Sequence, residues 1–175
     1  MHDRQKLARF EQLVLPHLDA AHNLARWLTR NPQDAEDVAQ EACLRAFKFF
    51  DGFSGQNARG WLLRIVRNTF YTWVEQNPRR RETLSIDELP PGVELQLAES
   101  DDMVHKSINA ELLRKLLGDL PVEFREVIVL RELEGFSYKE IASIANIPIG
   151  TVMSRLSRAR RILENRLVDA SAEPA

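Results

Sequence analysis

The segment from Pro121 to Leu167 constrains the fold most, because it reads as three helices separated by short breaks. Gly135 ends the first helix, and the turn Asn146-Ile147-Pro148 separates the other two, which is typical of a helix-turn-helix. Pro148 is expected in the first turn of the last helix, where its missing N–H costs no hydrogen bond. Apolar spacing of three and four predicts a buried stripe on that helix formed by Ile149, Val152, Leu156, Ala159 and Leu163.

The opposite face of this last helix is predicted to be exposed and to carry hydroxyl and guanidinium groups. Such groups can contact phosphates and base edges in a DNA major groove. A basic amphipathic helix by itself is more often a solvated face or a member of a bundle. The short preceding helix and the length of the turn favour DNA contact by Thr151, Ser154, Arg155 and Arg158.

The composition limits the classes of function open to the chain. With 24 basic and 26 acidic residues, the 175-residue chain has a formal net charge of -2, so it is no polycation that coats DNA by charge alone. The single cysteine excludes an internal disulfide, and no apolar run suits a membrane span or signal, so a cytoplasmic protein is expected. We find no catalytic constellation and no metal-ligand spacing, and we expect neither enzymatic activity nor a cofactor.

The first part of the chain is predicted to be helical, with Pro16 as a break between two helices before residue 30. Asn31-Pro32 then restarts the chain, and a helix is expected from Pro32 to about Phe49. Its sequence contains DAEDVAQEACLRAF, in which small and apolar residues can face a core. Asp37, Gln40 and Glu41 are left for the surface.

A polar loop at residues 51–57 precedes a helix predicted from about Ala58 to Glu75. Aromatic residues alternate there with Arg and Asn, a combination that offers a single-stranded nucleic acid stacking faces, phosphate partners and amide groups. Such a pattern is more often a set of core aromatics on an amphipathic helix. Trp61 and Ile65 are expected to be core residues.

The fold class predicted from these patterns is all-α, with two small helical domains. Residues 82–102 are acidic and contain Pro90-Pro91-Gly92, so a flexible acidic linker is expected between the domains. The expected boundaries are residues 1–81 for the first domain, 103–168 for the helix-turn-helix domain, and 169–175 for a frayed tail.

Three segments together resemble bacterial RNA polymerase sigma factors of the extracytoplasmic-function (ECF) group of the sigma-70 family, the small type with only the second and fourth sigma domains. DAEDVAQEACLRAF, residues 34–47, resembles the segment that binds core polymerase. GWLLRIVRNTFYTWVEQNPRR, residues 60–80, resembles the part that opens and reads the minus-10 promoter element. LPVEFREVIVLRELEGFSYKEIASIANIPIGTVMSRLSRARRIL, residues 120–163, resembles the domain that reads the minus-35 element.

The resemblance implies roles for individual residues. It implies polymerase binding by Asp37, Gln40 and Glu41. It implies contact with the minus-10 element by Phe53, Asn57, Arg64, Arg67, Asn68 and Tyr71, with Phe53 or Asn57 enclosing a flipped base. It implies contact with the minus-35 element by Thr151, Ser154, Arg155 and Arg158, while Met153 stands where many relatives carry Lys.

The function implied by the resemblance is promoter-specific initiation of transcription without any catalytic group on this chain. The implied partners are core RNA polymerase, promoter DNA and an anti-sigma factor, in a stress or envelope response. The main rival is a stand-alone helix-turn-helix regulator that binds duplex operators, which leaves the two N-terminal segments unexplained. A helical adaptor that binds only proteins is a third class.

We expect the isolated protein to bind promoter duplex weakly at physiological salt, because its balanced charge supplies few phosphate contacts. Gel-shift titrations with and without core polymerase measure this, and most of the affinity should require polymerase. Tight, sequence-specific binding by the protein alone would instead support the stand-alone regulator.

Overall fold

The structure is a computed structural model that describes residues 2–78 and 110–172, with side chains described to residue 170. All regular secondary structure within these ranges is helical, and the chain divides into two compact units. The predicted all-α class with two small helical domains is confirmed. The predicted acidic linker at residues 82–102 lies outside the described residues. No helix in the two described ranges is both long and apolar enough to cross a membrane.

The first unit contains four α-helices and two short 3₁₀ turns. Helix α1 is His2–Leu13, α2 is Leu18–Thr29, α3 is Pro32–Lys48 and α4 is Ala58–Gln76. The 3₁₀ turn Leu15–His17 contains Pro16, so the predicted break between α1 and α2 is present. Helices α2, α3 and α4 pack against one another in all three pairs, around a core that includes Leu24, Leu28, Val38, Leu62, Leu63, Val66 and Phe70.

Asn31 fixes where α3 begins. Its backbone is extended and its side-chain Oδ1 accepts hydrogen bonds from the backbone N–H groups of Gln33 (2.9 Å) and Asp34 (3.1 Å). Pro32 occupies the first helical position, where no N–H is needed. Small and apolar residues at helical spacing then face the core: Ala35, Val38, Ala42 and Ala46. The cap and the small residues together decide which face of α3 is exposed.

The second unit begins with α5, Ala110–Gly118, and α6, Val122–Ile128, and α6 continues directly into a π-helical turn at Val129–Leu133. The sequence predicted one uninterrupted helix to Glu134, whereas the backbone N–H of Glu134 bonds to the carbonyl of Val129, 3.0 Å away. Gly135, with φ of 73°, ends this segment as predicted, because glycine adopts left-handed backbone conformations without strain. Helix α7 is Tyr138–Ala145 and α8 is Ile149–Ala172.

Most of the predicted stripe on α8 is buried, as Val152, Leu156, Ala159 and Leu163 all lie in the core of the unit, and α8 packs on α6 and α5. The prediction is wrong for Ile149, which is 49% exposed. At about 100° per residue it lies about 60° from Val152, at the edge of the stripe and at the helix end.

The two ends of α8 also differ from prediction. Pro148 precedes the helix, and its carbonyl accepts hydrogen bonds from the N–H groups of Thr151 (3.0 Å) and Val152 (3.1 Å), so it caps the helix. At the other end α8 continues to Ala172, beyond the predicted domain boundary at Val168. The helix therefore spans most of the segment that was expected to be a frayed tail.

We expect Asn31→Ala to lower the free energy of unfolding of the first unit by about 1 kcal/mol, because it removes the acceptor for two backbone N–H groups. All three tryptophans, Trp27, Trp61 and Trp73, belong to this unit. Urea unfolding followed by tryptophan fluorescence therefore reports the first unit within the intact protein.

The matched control is Asn23→Ala, at an exposed position in the middle of α2. Alanine has the higher helix propensity, so this variant should be as stable as the parent or more stable by up to about 0.7 kcal/mol. Equal destabilisation by the two substitutions would contradict the capping role of Asn31.

Candidate interfaces for nucleic acid and a protein partner

The exposed side of α3 carries the three residues predicted to bind a protein partner. Asp37, Gln40 and Glu41 are all exposed, and their spacing of three and four places them on one face of the helix. We call this surface the α3 polar face. Arg45 Nε lies 3.1 Å from Glu41 Oε1, an exposed pair one helical turn apart that contributes little stability. The acids are thus free of the core and available to a basic partner.

Leu44 continues the α3 polar face and was missed by the sequence analysis. Its side chain is 68% exposed, and it follows Asp37 by seven residues and Gln40 by four, which keeps it on the same side of the helix. The signal was present in that spacing, but leucine in an amphipathic helix is more often a core residue. The face therefore offers one apolar side chain next to its acids and amide.

Four residues predicted to contact single-stranded DNA share one face of α4, and we call this surface the α4 basic face. Arg64, Arg67, Asn68 and Tyr71 have the spacing of one helix face; Arg64 and Asn68 are exposed, and the other two are half-buried. The Arg67 guanidinium lies over the Tyr71 ring, 4.3 Å from its centroid, and Arg67 Nη1 is 3.5 Å from Asn68 Oδ1. Cationic, amide and aromatic side chains therefore lie close together within two helical turns.

The structure places Phe53 in the core of the first unit. Its ring is 9% exposed and packs between Phe50, with centroids 5.7 Å apart, and Trp61, at 4.8 Å. Burial of a ring among other rings is the more favourable state, because it removes apolar area from water. Phe53 is thus a core residue that joins the loop to α4, and its contact with a flipped base stays a prediction.

Trp61 and Ile65, expected in the core, are only half-buried. Trp61 lies at the edge of the aromatic cluster, 6.3 Å from Phe50 between ring centroids.

Asn57 stands at the junction of the loop and α4, exposed and in a left-handed conformation with φ of 52°. Its Oδ1 accepts a hydrogen bond from the backbone N–H of Gly60, 3.1 Å away, and so caps α4. A Cβ at Gly60 would come within 2.6 Å of Asn57 Nδ2, so the cap requires glycine at that position. The sequence predicted a functional role for Asn57, and the structure adds a structural one.

Helix α1 supports the same loop from the other side. Lys6 Nζ lies 3.1 Å from Asp51 Oδ2 and 4.8 Å from the centroid of the Phe47 ring. Phe10 contacts the rings of Phe47 and Phe50 edge-on, at 5.2 and 5.5 Å. These contacts hold the end of α3 and the residues after it against the first helix. The loop before α4 is thus anchored by α1 at its start and by the Asn57 cap at its end.

In the second unit, local hydrogen bonds define the helix-turn-helix. Ser137 and Glu140 form a capping box at the start of α7, with each side chain accepting from the other residue's backbone N–H at 3.1 and 3.0 Å. Asn146 ends α7 in a left-handed conformation, φ 55°, and the N–H of Ile147 bonds to the carbonyl of Ala142 at 3.1 Å. The predicted turn is therefore present.

The predicted DNA-contacting residues of α8 lie on its outer side but are not fully exposed. Thr151, Ser154, Arg155 and Arg158 are all half-buried, and Ser154 Oγ donates to the carbonyl of Thr151 at 3.2 Å. At about 100° per residue the four span roughly a quarter of the helix circumference, with Ser154 and Arg155 at the extremes. They therefore form a compact group, which we call the α8 polar face.

The chain matches two protein families along its length. Residues 13–80 match the family described as Sigma-70 region 2, and residues 110–163 match the family described as Sigma-70, region 4. The first match includes α2, α3 and α4, and the second runs from the start of α5 into the second half of α8. The three surfaces defined above all lie within these matches.

Comparisons with individual relatives agree with the family matches. The chain is 35% identical to the ECF RNA polymerase sigma factor SigE of Mycolicibacterium smegmatis, over 99% of this chain and 67% of that protein. It is 36% identical to the ECF RNA polymerase sigma-E factor of Haemophilus influenzae, over 82% of this chain and 79% of that protein.

Two solved structures are similar in fold. The sigma factor RpoE from Bartonella quintana, crystallised with the anti-sigma factor NepR, has a TM-score of 0.70 and 32% identity, over 91% of this chain and 97% of that one. CnrH, solved with the cytosolic domain of CnrY, has a TM-score of 0.59 and 26% identity, over 93% of this chain and 89% of that one.

We expect Asn57→Ala to destabilise the first unit by about 1–2 kcal/mol and Asn57→Gly by less than about 0.5 kcal/mol. Both lose the side-chain cap, but only glycine relieves the left-handed backbone and is itself tolerated at a helix N-cap. Urea unfolding followed by tryptophan fluorescence measures the difference. A larger loss of stability for Asn57→Gly than for Asn57→Ala would refute this account. If the expected order is found, Asn57→Gly is the variant with which to test whether the Asn57 side chain contacts DNA in a folded protein.

Proposed function

The chain belongs to the ECF group of the sigma-70 family, whose members are non-enzymatic initiation factors, and we propose that it binds core RNA polymerase and directs it to specific promoters. One observation carries the proposal: both family matches occur on one chain, the first over helices α2 to α4 and the second from α5 into α8. A stand-alone helix-turn-helix regulator accounts for the second unit only. We keep residues 1–81 and 103–168 as the proposed domains and 82–102 as the proposed linker.

We assign polymerase binding to the α3 polar face. Asp37, Gln40 and Glu41 can hydrogen-bond or pair with a basic helix of the partner without disturbing the core, because their side chains are exposed. Leu44 adds apolar area that becomes buried on association. Exposed charges mainly steer association and set specificity, and a buried apolar side chain adds affinity.

We assign the minus-10 element to the α4 basic face together with Asn57. The cations Arg64 and Arg67 can contact phosphates of an unpaired strand, and Asn68 can hydrogen-bond to a base edge. Tyr71 adds an aromatic ring beside Arg67 on which a base can stack. Capture of unpaired bases in this way offsets the free energy of unstacking as the duplex opens.

We assign the minus-35 element to the α8 polar face. The helix begins directly after the capped turn, so its first residues can enter a major groove while Arg155 and Arg158 contact phosphates or guanine edges. Thr151 and Ser154 can hydrogen-bond to bases or phosphates. The exposed Met153 offers apolar contact to a thymine methyl group, which a lysine at this position would not provide.

We further propose regulation by an anti-sigma factor, as part of a stress or envelope response. The support is the two related folds above, of which the RpoE structure contains the anti-sigma factor NepR and the CnrH structure contains the cytosolic domain of CnrY. Since core polymerase acts in the cytoplasm, we place the action of this protein there as well.

Run-off transcription with core polymerase and a library of promoter fragments tests the proposed function, and two variants test the surfaces. We expect Gln40→Ala to weaken polymerase capture in a pull-down, while promoter preference is kept. We expect Arg155→Ala to reduce initiation that depends on the upstream element by roughly tenfold, the effect of losing one good DNA contact, while polymerase capture is kept.

The matched controls are Gln33→Ala, an exposed glutamine at the start of α3, and Arg114→Ala, an exposed arginine on α5. Both should behave as the parent protein does. Normal transcription from the Gln40 and Arg155 variants would remove these assignments. If the parent protein directs core polymerase to no specific transcription start and binds a duplex operator tightly by itself, a stand-alone regulator would replace the proposed function.

A further inference from the structure

Arg160 lies within the basic sequence of α8 but is not on its outer surface. Arg160 is 3% exposed, and its Nη2 donates a hydrogen bond to Glu132 Oε1 at 2.8 Å. The Glu132 side chain is also largely buried. Burial lowers the pKa of the Arg160 guanidinium, but the hydrogen bond to Glu132 and the nearby Tyr138 more than offset this and raise the pKa overall. Arg160 is therefore a buried cation that is paired with Glu132.

The residues near Arg160 come from different elements. Glu132 belongs to the π-helical turn, and Tyr138 is the first residue of α7. Arg131, next to Glu132, donates through Nη1 to the carbonyl of Phe136 at 3.0 Å and lies over the Tyr138 ring, 4.7 Å from its centroid. The π-helical turn, α7 and α8 are thus joined by one set of side-chain contacts.

This set of contacts restrains α8 in a way that the apolar core does not. Apolar contacts are not directional, so Val152, Leu156 and Leu163 alone allow small rotations of α8. A charge-assisted hydrogen bond tolerates little change in distance or angle. Because side-chain ends lie about 6 Å from a helix axis, a rotation of about 10° moves them by about 1 Å, which is enough to disturb a contact with a base edge.

We propose that Arg160, through its bond to Glu132, is a positioning residue that fixes the rotation of α8 and so the presentation of Thr151, Ser154 and Arg155 to promoter duplex. Arg160 lies five residues, about 7.5 Å along the axis, from Arg155, close enough for such a restraint to act on the α8 polar face. The inference rests on the proposed function of that face. It also assigns Arg160 no contact with DNA.

The test uses the whole chain together with core polymerase. It measures initiation from a promoter with an upstream element selected from the library and from one with that element scrambled, and the selected-to-scrambled ratio is the readout. Circular dichroism at the assay temperature shows whether each variant is folded. Glu132→Gln removes a negative charge, which by electrostatics alone favours DNA binding on any sequence. The charge effect alone would not lower sequence preference through weaker binding, whereas loss of the Arg160 restraint should. We therefore expect the selected-to-scrambled ratio to fall at least about fivefold. The matched control, Glu164→Gln at an exposed position on α8, should keep the ratio within about twofold.

Rescue and fallback variants complete the test. Arg160→Lys keeps the charge and should retain more of the ratio than Arg160→Met. If Glu132→Gln does not fold, Glu132→Asp is the fallback, since it keeps the carboxylate but shortens the side chain that reaches Arg160, and it should lower the ratio about two- to threefold. An unchanged ratio in folded Glu132→Gln or, failing that, in Glu132→Asp would overturn the inference alone. A parent protein with no upstream preference would overturn the proposed function and this inference together.

Discussion

Burial of the apolar stripe of α8 against α6 is the constraint on which the second unit depends. Val152, Leu156 and Leu163 can be removed from water only if α8 packs with that side inward, and burial of one such side chain contributes roughly 1.5–3 kcal/mol. Polar residues away from this stripe, such as Thr151, Ser154 and Arg155, then lie on the other side of the helix because of its period. The same logic applies to α3, whose small core residues leave Asp37 and Gln40 exposed. Hydrophobic burial thus selects the candidate interfaces indirectly, by excluding the other faces.

Burial orients the faces, but local hydrogen bonds decide where each helix begins. Asn31 caps α3, Asn57 caps α4 and Ser137 caps α7, and each accepts from backbone N–H groups that would otherwise lack a partner. Asn31 and Asn57 stand directly before helices that carry a candidate interface, and Ser137 stands before α7, the first helix of the helix-turn-helix. A shift of one residue in a helix start rotates its side chains by about 100°, so these small residues hold the interfaces in register.

Features set by local sequence could be predicted, whereas those set by distant contacts could not. Asn31-Pro32, Gly135 and the turn at Asn146 encode their conformation in the residues themselves, and each is found where the sequence placed it. The burial of Phe53 was not predicted, because nothing nearby in sequence shows that Trp61 packs against it. The burial of Arg160 depends on Glu132, 28 residues earlier, and on a π-helical turn that no apolar spacing reveals. The site assignments themselves remain proposals that come from the family resemblance.

The buried arginines change how the charge of the chain should be interpreted. Five arginines lie between residues 155 and 166, yet Arg160 is enclosed, and Arg125 uses its guanidinium to bond the carbonyls of Gly118 and Leu120 at 3.1 and 2.9 Å. A count of basic residues therefore overstates the number of phosphates that the second unit can neutralise. Because each neutralised phosphate adds to the salt-dependent affinity, fewer outward cations mean weaker binding by this unit alone. In the proposed function, a partner that holds both units near one promoter compensates, since linked weak contacts act at a high effective concentration. Dependence on polymerase then follows from where the arginines lie in the fold as well as from the net charge.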